Sequence, residues 1–278
     1  MLHTRMPFKQ KMTPSLSVPK QSQQVRIGAV AYLNTKPLIF GLQEILGESG
    51  VLSLELPRQL ATQLGQGEID IGLIPVIEYF KAPKYRILSD AAIACRGPVW
   101  SVRLLFRTDP ALVRTIAMDV GSRTSVALTK VLFHARFGFV PETIDLDMQT
   151  KPEDARADAV LVIGDRAMQP QKNDTSFINH WDLGQVWFEE TGLPFVFAMW
   201  VARDERFASS DIATSLEECR EEGLKHVEQI SEVASKSYPL SKEQCTDYLT
   251  NYIHFHLGPS ELAGLHEFRS RCLDLRLI

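Results

Sequence analysis

At 278 residues, with 45% hydrophobic and 23% charged residues, the chain has the profile of a soluble globular protein, and it is long enough for two domains of ordinary size. Its formal net charge of -4 excludes a general attraction to nucleic acid or to an anionic membrane, so an anionic ligand must be held by local groups. No apolar run reaches the ~20 residues of a membrane span or forms a signal-peptide core, which points to the cytoplasm.

Residues 1–25 contain Lys9, Lys11, Lys20, several Ser and Gln, and Pro7, Pro14 and Pro19 without hydrophobic periodicity, the composition of a disordered segment. From Arg26 onward short apolar runs alternate with helical patterns, the signature of parallel sheet covered by helices. Ile27 to Ala31 is the first strand. It runs through Tyr32-Leu33-Asn34-Thr35-Lys36-Pro37 into a pattern where Leu38, Ile39, Leu42, Ile45 and Leu46 share one helical face. Thr35 is the expected N-cap and Pro37 fits the first turn, so backbone N–H groups face the mouth of the strand. Two readings stay open there: a well-capped turn, or one wall of an anion site reinforced by Lys36. Val51 to Leu56 is a second strand, Arg58 to Leu64 a helix stopped by Gly65 and Gly67, and Asp70 to Ile74 a buried strand closed by Pro75. Ile87 to Ala94 and Val99 to Phe106 are β-rich and flank the turn Arg96-Gly97-Pro98. The second of these mixes apolar and polar residues too freely for a central strand and reads as a passage between domains.

A second α/β unit starts with the strand Thr115 to Asp119. Gly121-Ser122-Arg123-Thr124-Ser125 follows, then a helix with Ala127, Leu128, Val131, Leu132 and Ala135 on one face, ended by Gly138 and Pro141. The hydroxyls of Ser122, Thr124 and Ser125 beside a helix N-terminus suit a carboxylate or phosphate, or serve only as a cap. Thr143 to Asp147 is a further strand, Asp154 to Asp158 a short helical link, and Ala159 to Ile163 a buried strand running into Gly164-Asp165. Asp165 is either a cap for the helix at Ala167 or an acceptor, acid or base for a ligand. Pro194 to Val201 reads as the return passage. Leu216, Cys219, Val227, Ile230 and Ala234 mark one helix, weakened by Gly223. Ser241 with Gln244 forms a capping box for the next helix, Gly258 with Pro259 closes it, and Ser260 caps a last short one.

The expected fold class is α/β with two lobes, 26–105 plus 200–278 and 106–199, joined by two crossing strands, with the ligand in the cleft between them. Cys95, Cys219, Cys245 and Cys272 have no metal-ligand spacing and read as reduced thiols. His254 and His256 fall on different faces of a predicted helix, and no metal site is expected. Trp181, Trp187 and Trp200 read as core or hinge packing. The chain has neither GxxxxGK[ST] nor a GxGxxG after a strand, and Ser125 and His134 are nine residues apart on one helix, so P-loop, dinucleotide and hydrolase-triad chemistry lack support.

Five stretches in order carry a resemblance: Arg26-Ile27-Gly28 leading to Tyr32-Leu33-Asn34-Thr35-Lys36-Pro37-Leu38; Gly97-Pro98-Val99 with Ser101-Val102; Ser122 to Leu128; Ile163-Gly164-Asp165; and Thr191-Gly192-Leu193-Pro194-Phe195-Val196-Phe197-Ala198. Together they resemble the chorismate dehydratase family of the futalosine route to menaquinone. The resemblance implies a fold like that of type II periplasmic binding proteins. It also implies loss of water from chorismate to give 3-[(1-carboxyvinyl)oxy]benzoate, with no metal or organic cofactor and a small dicarboxylate as the partner. Asn34 matches the family's central active-site asparagine; Tyr32, Thr35, Lys36, Ser101, Ser122, Thr124, Ser125 and Asp165 are the substrate-binding candidates. A neutral amide is a poor base, so the substrate's own enolpyruvyl carboxylate is the expected proton acceptor, positioned by Asn34. Two alternatives are a 1,4-dihydroxy-6-naphthoate synthase, whose family has a histidine near the strand end that here reads Ile163-Gly164-Asp165, and a non-catalytic protein that binds a small anion.

Overall fold

The structure, a computed structural model, describes residues 24–119, 121–147, 149–168 and 176–278. Residues 1–23 of the segment expected to be disordered lie outside the described residues, and Val25 already opens the first strand. In chain order come β1 (Val25–Val30), a 3-10 segment (Leu33–Ile39), α1 (Leu42–Leu46), β2 (Gly50–Glu55), α2 (Pro57–Gln66), β3 (Ile71–Pro75), α3 (Val76–Lys81) and β4 (Arg86–Cys95). Then follow β5 (Val102–Phe106), β6 (Thr115–Asp119), α4 (Arg123–Phe137), β7 (Glu142–Leu146), β8 (Ala159–Ile163), α5 (Asp165–Met168), β9 (Asn179–Asp182) and α6 (Leu183–Thr191). The chain ends with β10 (Phe195–Ala202), α7 (Ser210–Lys225), α8 (Val227–Ala234), α9 (Lys242–Asp247), a π-helical turn (Tyr248–Tyr252), β11 (His254–His256) and α10 (Pro259–Asp274).

Two mixed sheets result. The first has the order β11-β4-β10-β3-β1-β2 and the second β7-β6-β8-β5-β9. In each, a parallel trio (β1 with β2 and β3; β6 with β7 and β8) is extended by an antiparallel neighbour, β10 in the first sheet and β5 in the second. β3 and β8 are buried along their whole length, as strands covered on both faces must be, which is why both read as unbroken apolar runs. The architecture is the expected α/β fold of two lobes. Among the described residues no helix is long and apolar enough to cross a membrane.

Several expectations change. β5 is an inner strand of the second sheet, flanked by β8 and β9, with Val102, Leu104, Leu105 and Phe106 all buried. The expected limits at 105/106 and 199/200 therefore cut through β5 and β10; the sheets put the passages between lobes in the connections 96–101 and 192–194. The helix expected through Leu38 to Leu46 is a 3-10 segment and a short α-helix, divided at Gly41, whose φ of 73° ends the first piece. The single helix expected through Leu216 to Ala234 is also two, broken at His226 (φ -106°, ψ 19°). Gly223 lies inside α7, where a β-carbon would stand 2.0 Å from the carbonyl oxygen of Pro37. Glycine is there so that α7 can seat directly on the backbone of the 3-10 segment.

His254 and His256 belong to a strand, so they share a side, with ring centroids 6.5 Å apart. Gly258 and Pro259 open α10 and do not close the previous helix, and Ser260 lies inside α10; the cap comes from Glu261, whose carboxylate accepts the Gly258 N–H at 3.2 Å. The link expected over Asp154 to Asp158 reduces to a 3-10 turn, Pro152–Asp154.

Candidate active site

The C-terminal ends of β1, β3 and β8 open on one cleft between the lobes. Tyr32 and Asn34 line it from just beyond β1, Ser101 from the first connection between lobes, Ser122, Thr124 and Ser125 from the start of α4, and Ile163 and Gly164 from the end of β8. Val30, Ile93, Val99, Phe197 and Ala198 supply apolar walls, and the cavity volume is about 70 Å³.

Asn34 sits in the first turn of the 3-10 segment, which begins after Tyr32 without a side-chain cap. Its amide nitrogen donates to the Tyr248 hydroxyl at 3.1 Å, and that hydroxyl donates to Ser101 Oγ at 2.8 Å. The amide oxygen of Asn34 is buried and has no hydrogen-bond partner among the described residues. The Tyr32 ring reaches across the cleft: a β-carbon on Gly164, whose φ is 61°, would lie 3.5 Å from it.

Ser101 is held by an unusual backbone. Trp100 has φ 61°, a left-handed conformation that costs a non-glycine residue about 1–2 kcal/mol. Asp182 holds it there, its two carboxylate oxygens accepting the Val99 and Trp100 N–H groups at 2.9 and 2.6 Å while also capping α6 at Gly184 and Gln185. The Ser101 carbonyl accepts the Gly164 N–H at 2.8 Å, which ties the connection to the second lobe.

At the start of α4, Ser122 is the N-cap, accepting the Ser125 N–H at 3.2 Å and donating to Ser125 Oγ at 2.7 Å. Thr124 and Ser125 are buried, and Thr124 Oγ1 reaches the Phe197 carbonyl of the first lobe at 3.5 Å. The remaining free N–H groups of this helix start, with the positive end of its dipole, favour an anion in the cleft. Arg123 turns away and pairs with Glu78 of α3 at 2.9 Å, a contact between the lobes. Below the turn, Asp119 ends β6 and accepts the Gly121 N–H at 2.9 Å. Burial pushes its carboxyl above the ordinary aspartate value, against that N–H and the charge of Arg166.

The structure thus brings together Tyr32, Asn34, Ser101, Ser122, Thr124 and Ser125. It takes Thr35 and Lys36 out of the cleft: because the segment is a 3-10 turn starting at Leu33, both lie beyond its first positions. Thr35 is 1% exposed in the first lobe, and Lys36 lines a separate groove with Ile39, Phe40, Ile230 and Val233. Asp165 is the first residue of α5, directly after Gly164, rather than a cap ahead of a helix at Ala167; its side chain lies outside the described residues. Tyr248 carries no local motif and is 214 residues from Asn34 in sequence. Asp182 had a signal, since Asp182-Leu183-Gly184-Gln185 has capping-box spacing. Among the described residues no group of His, Cys, Asp and Glu could hold a metal ion.

The family model described as menaquinone biosynthesis matches residues 25–274. The chain is similar to the chorismate dehydratase of Thermus thermophilus, 29% identical over 259 residues, 87% of this chain and 93% of the relative. It is also similar to that of Campylobacter jejuni, 27% identical over 255 residues, 90% of this chain and 98% of the relative. Among solved structures, protein AF1704 from Archaeoglobus fulgidus superposes with a TM-score of 0.74 at 18% identity, covering 92% of this chain and 98% of that one. The periplasmic aliphatic sulphonate binding protein SsuA from Escherichia coli gives 0.59 at 15% identity over 93% and 94%. At these identities the likeness is one of fold, that of the periplasmic binding proteins.

Proposed function

Because the chain belongs to the menaquinone biosynthesis family, we propose that it is a chorismate dehydratase, a lyase that removes water from chorismate to give 3-[(1-carboxyvinyl)oxy]benzoate. The observation that carries this reading is the pairing of Asn34 on one lobe with the hydroxyl-rich start of α4 on the other, across a cleft with apolar walls. The chemistry of this lining suits a cyclic dicarboxylate: the free N–H groups and hydroxyls of Ser122 to Ser125 suit a carboxylate, and the apolar walls suit the ring. The Thermus and Campylobacter relatives support the same assignment.

Chorismate carries most of the driving force itself. The C3–H bond breaks and its electron pair forms the C3–C4 double bond. The C4–O bond breaks with its pair, the hydroxyl leaves as water after taking a proton, and the ring becomes aromatic. No electrons enter or leave the substrate, so the step calls for no redox partner. The proton acceptor we propose is the enolpyruvyl carboxylate, because Asn34 is neutral and no carboxylate, imidazole or amine lines the cleft among the described residues. That carboxyl then passes the proton to the departing hydroxyl, so one water leaves and every protein group ends as it began. The protein's part is to orient and to exclude water.

Incubating the protein with chorismate and following the product by chromatography tests the reading. Wild type converts the substrate, and Asn34→Ala lowers kcat/KM by about 100-fold or more, the scale of one transition-state hydrogen bond. Binding without conversion would support the non-catalytic alternative. Conversion at the wild-type rate by Asn34→Ala would remove Asn34 from the mechanism, and turnover of the cyclised futalosine product instead of chorismate would assign the naphthoate synthase reaction.

A further inference from the structure

Tyr248 stands behind the cleft and joins its two sides of chemistry. It is 1% exposed and opens the π-helical turn, a distortion frequently found at functional sites. Its ring meets Trp100 edge-on with centroids 6.0 Å apart, so the strained residue beside Ser101 also packs the tyrosine.

The direction of the hydrogen bonds follows from the orientation of the Asn34 amide, whose nitrogen faces the Tyr248 hydroxyl. An amide nitrogen only donates, so the Tyr248 oxygen accepts from Asn34 at 3.1 Å and spends its single proton on Ser101 Oγ at 2.8 Å. Ser101, having accepted, keeps its own proton to donate elsewhere. The Asn34 amide oxygen is left buried without a partner among the described residues. We propose that Tyr248 is a positioning residue that fixes this polarity, so that Asn34 presents an acceptor to the cleft and Ser101 a donor, and that together they hold the hydroxyl that leaves.

Asn34 and Ser101 flank one tyrosine oxygen and line the same cleft, and in this proposal one substrate hydroxyl bridges them. The C4 hydroxyl of the substrate gives its O–H to Asn34 Oδ1 and takes the Ser101 proton in a hydrogen bond on a lone pair. This bond strengthens as the C4–O bond breaks and charge gathers on that oxygen. An acceptor at Asn34 repels a carboxylate, so the assignment moves Asn34 from the carboxylate, where the sequence puts it, to the leaving group. The inference rests on the dehydratase reading for the identity of the hydroxyl, but not for the polarity.

Tyr248→Phe keeps the ring and its packing and removes only the hydroxyl. With the full chain and chorismate, kcat falls about 10- to 100-fold while KM stays within about threefold and the melting temperature stays near wild type. Ser101→Ala alone has a similar effect, and the double variant is no worse than the worse single one, since both act through one chain of bonds. Unchanged kcat in Tyr248→Phe, or losses that multiply in the double variant, would overturn the proposal. If wild type fails to convert chorismate, the dehydratase reading falls while the polarity is still testable on the free protein. One side-chain amide proton of Asn34 is then protected from exchange in wild type and loses that protection in Tyr248→Phe. An Asn34 amide signal indifferent to the substitution would refute the relay.

Discussion

Substituting Gly223 by alanine tests whether the cleft is built from behind. The new β-carbon would stand 2.0 Å from the Pro37 carbonyl oxygen and 2.6 Å from the Pro37 carbonyl carbon and Cα. Ordinary contact begins at 3.4 Å, so α7 and the 3-10 segment must part by about 1.4 Å, and what lies in the way is backbone that cannot swing aside. Overpacking of this kind costs about 1–3 kcal/mol, against a gain of up to about 1 kcal/mol from replacing glycine inside a helix. The net loss, up to about 2 kcal/mol when the full gain applies, corresponds to a fall in melting temperature of up to roughly 8 °C. Pro37 is three residues past Asn34 on the same segment, and a shift of about 1 Å at a positioning group costs about 100-fold in rate. Thermal melts and chorismate turnover on Gly223→Ala should therefore fall together. Gly138→Ala is the control: its φ of 75° makes alanine strained, yet nothing lies within 4 Å of the added carbon and the site is remote from the cleft. It should lose stability and keep its kcat. A Gly223→Ala protein with unchanged or raised melting temperature and full activity would refute the reasoning.

Glu261 is fully buried against Arg96 at 2.8 Å and the Gly258 N–H. Burial pushes its carboxyl up, but the Arg96 hydrogen bond and backbone N–H groups outweigh burial and hold it below the ordinary 4.5. A depressed carboxylate contributes stability that is present above the ordinary value and lost as pH falls through the lowered one. Glu261→Gln should therefore destabilise by about 1–3 kcal/mol at neutral pH and flatten the acid limb of a melting-temperature profile below pH 4.5; an unchanged acid limb would assign that loss to other carboxylates. All four cysteines are buried, and burial pushes the thiols of Cys219 and Cys272 up to about 12. A disulfide reagent at neutral pH should label none of them in the native protein within minutes and all of them in denaturant. Asp165→Asn separates the two sources of a base. With the substrate carboxylate as acceptor, kcat stays within about tenfold of wild type, whereas a loss of about 1000-fold or more would make Asp165 the base.

What could be read in the sequence divides along a physical line. β3 and β8 were visible because a strand covered on both faces needs no polar side, and the start of α4 was visible because Ser122 caps a helix three residues from its partner Ser125. These are local facts. The 3-10 turn at Leu33–Ile39 is packed under α7, which seats on Pro37 from nearly two hundred residues away, a contact that no local pattern reports. From that turn follows which of Asn34, Thr35 and Lys36 faces the cleft. β5 misled for a related reason: Arg103 in its middle interrupts the apolar run, but the flanking strands β8 and β9 arrive only on folding.

The same division explains why the most local part of the site is also the part least able to act alone. Asn34 is named by its own neighbours in sequence, but its amide is turned by Tyr248, and Tyr248 reaches Ser101 on the connection between lobes. Ser101 is in turn fixed by Asp182 through Trp100 and by Gly164 of the second lobe. A chain of bonds that begins at the end of β1 thus closes only when the C-terminal helices, the first connection and both sheets are in place. An amide that must present one particular end to a ligand needs a partner on the other end, and in this fold that partner comes from a distant element: Leu33 and Thr35 are buried in the core, Lys36 lines the outer groove, and the Tyr32 ring crosses the cleft toward Gly164.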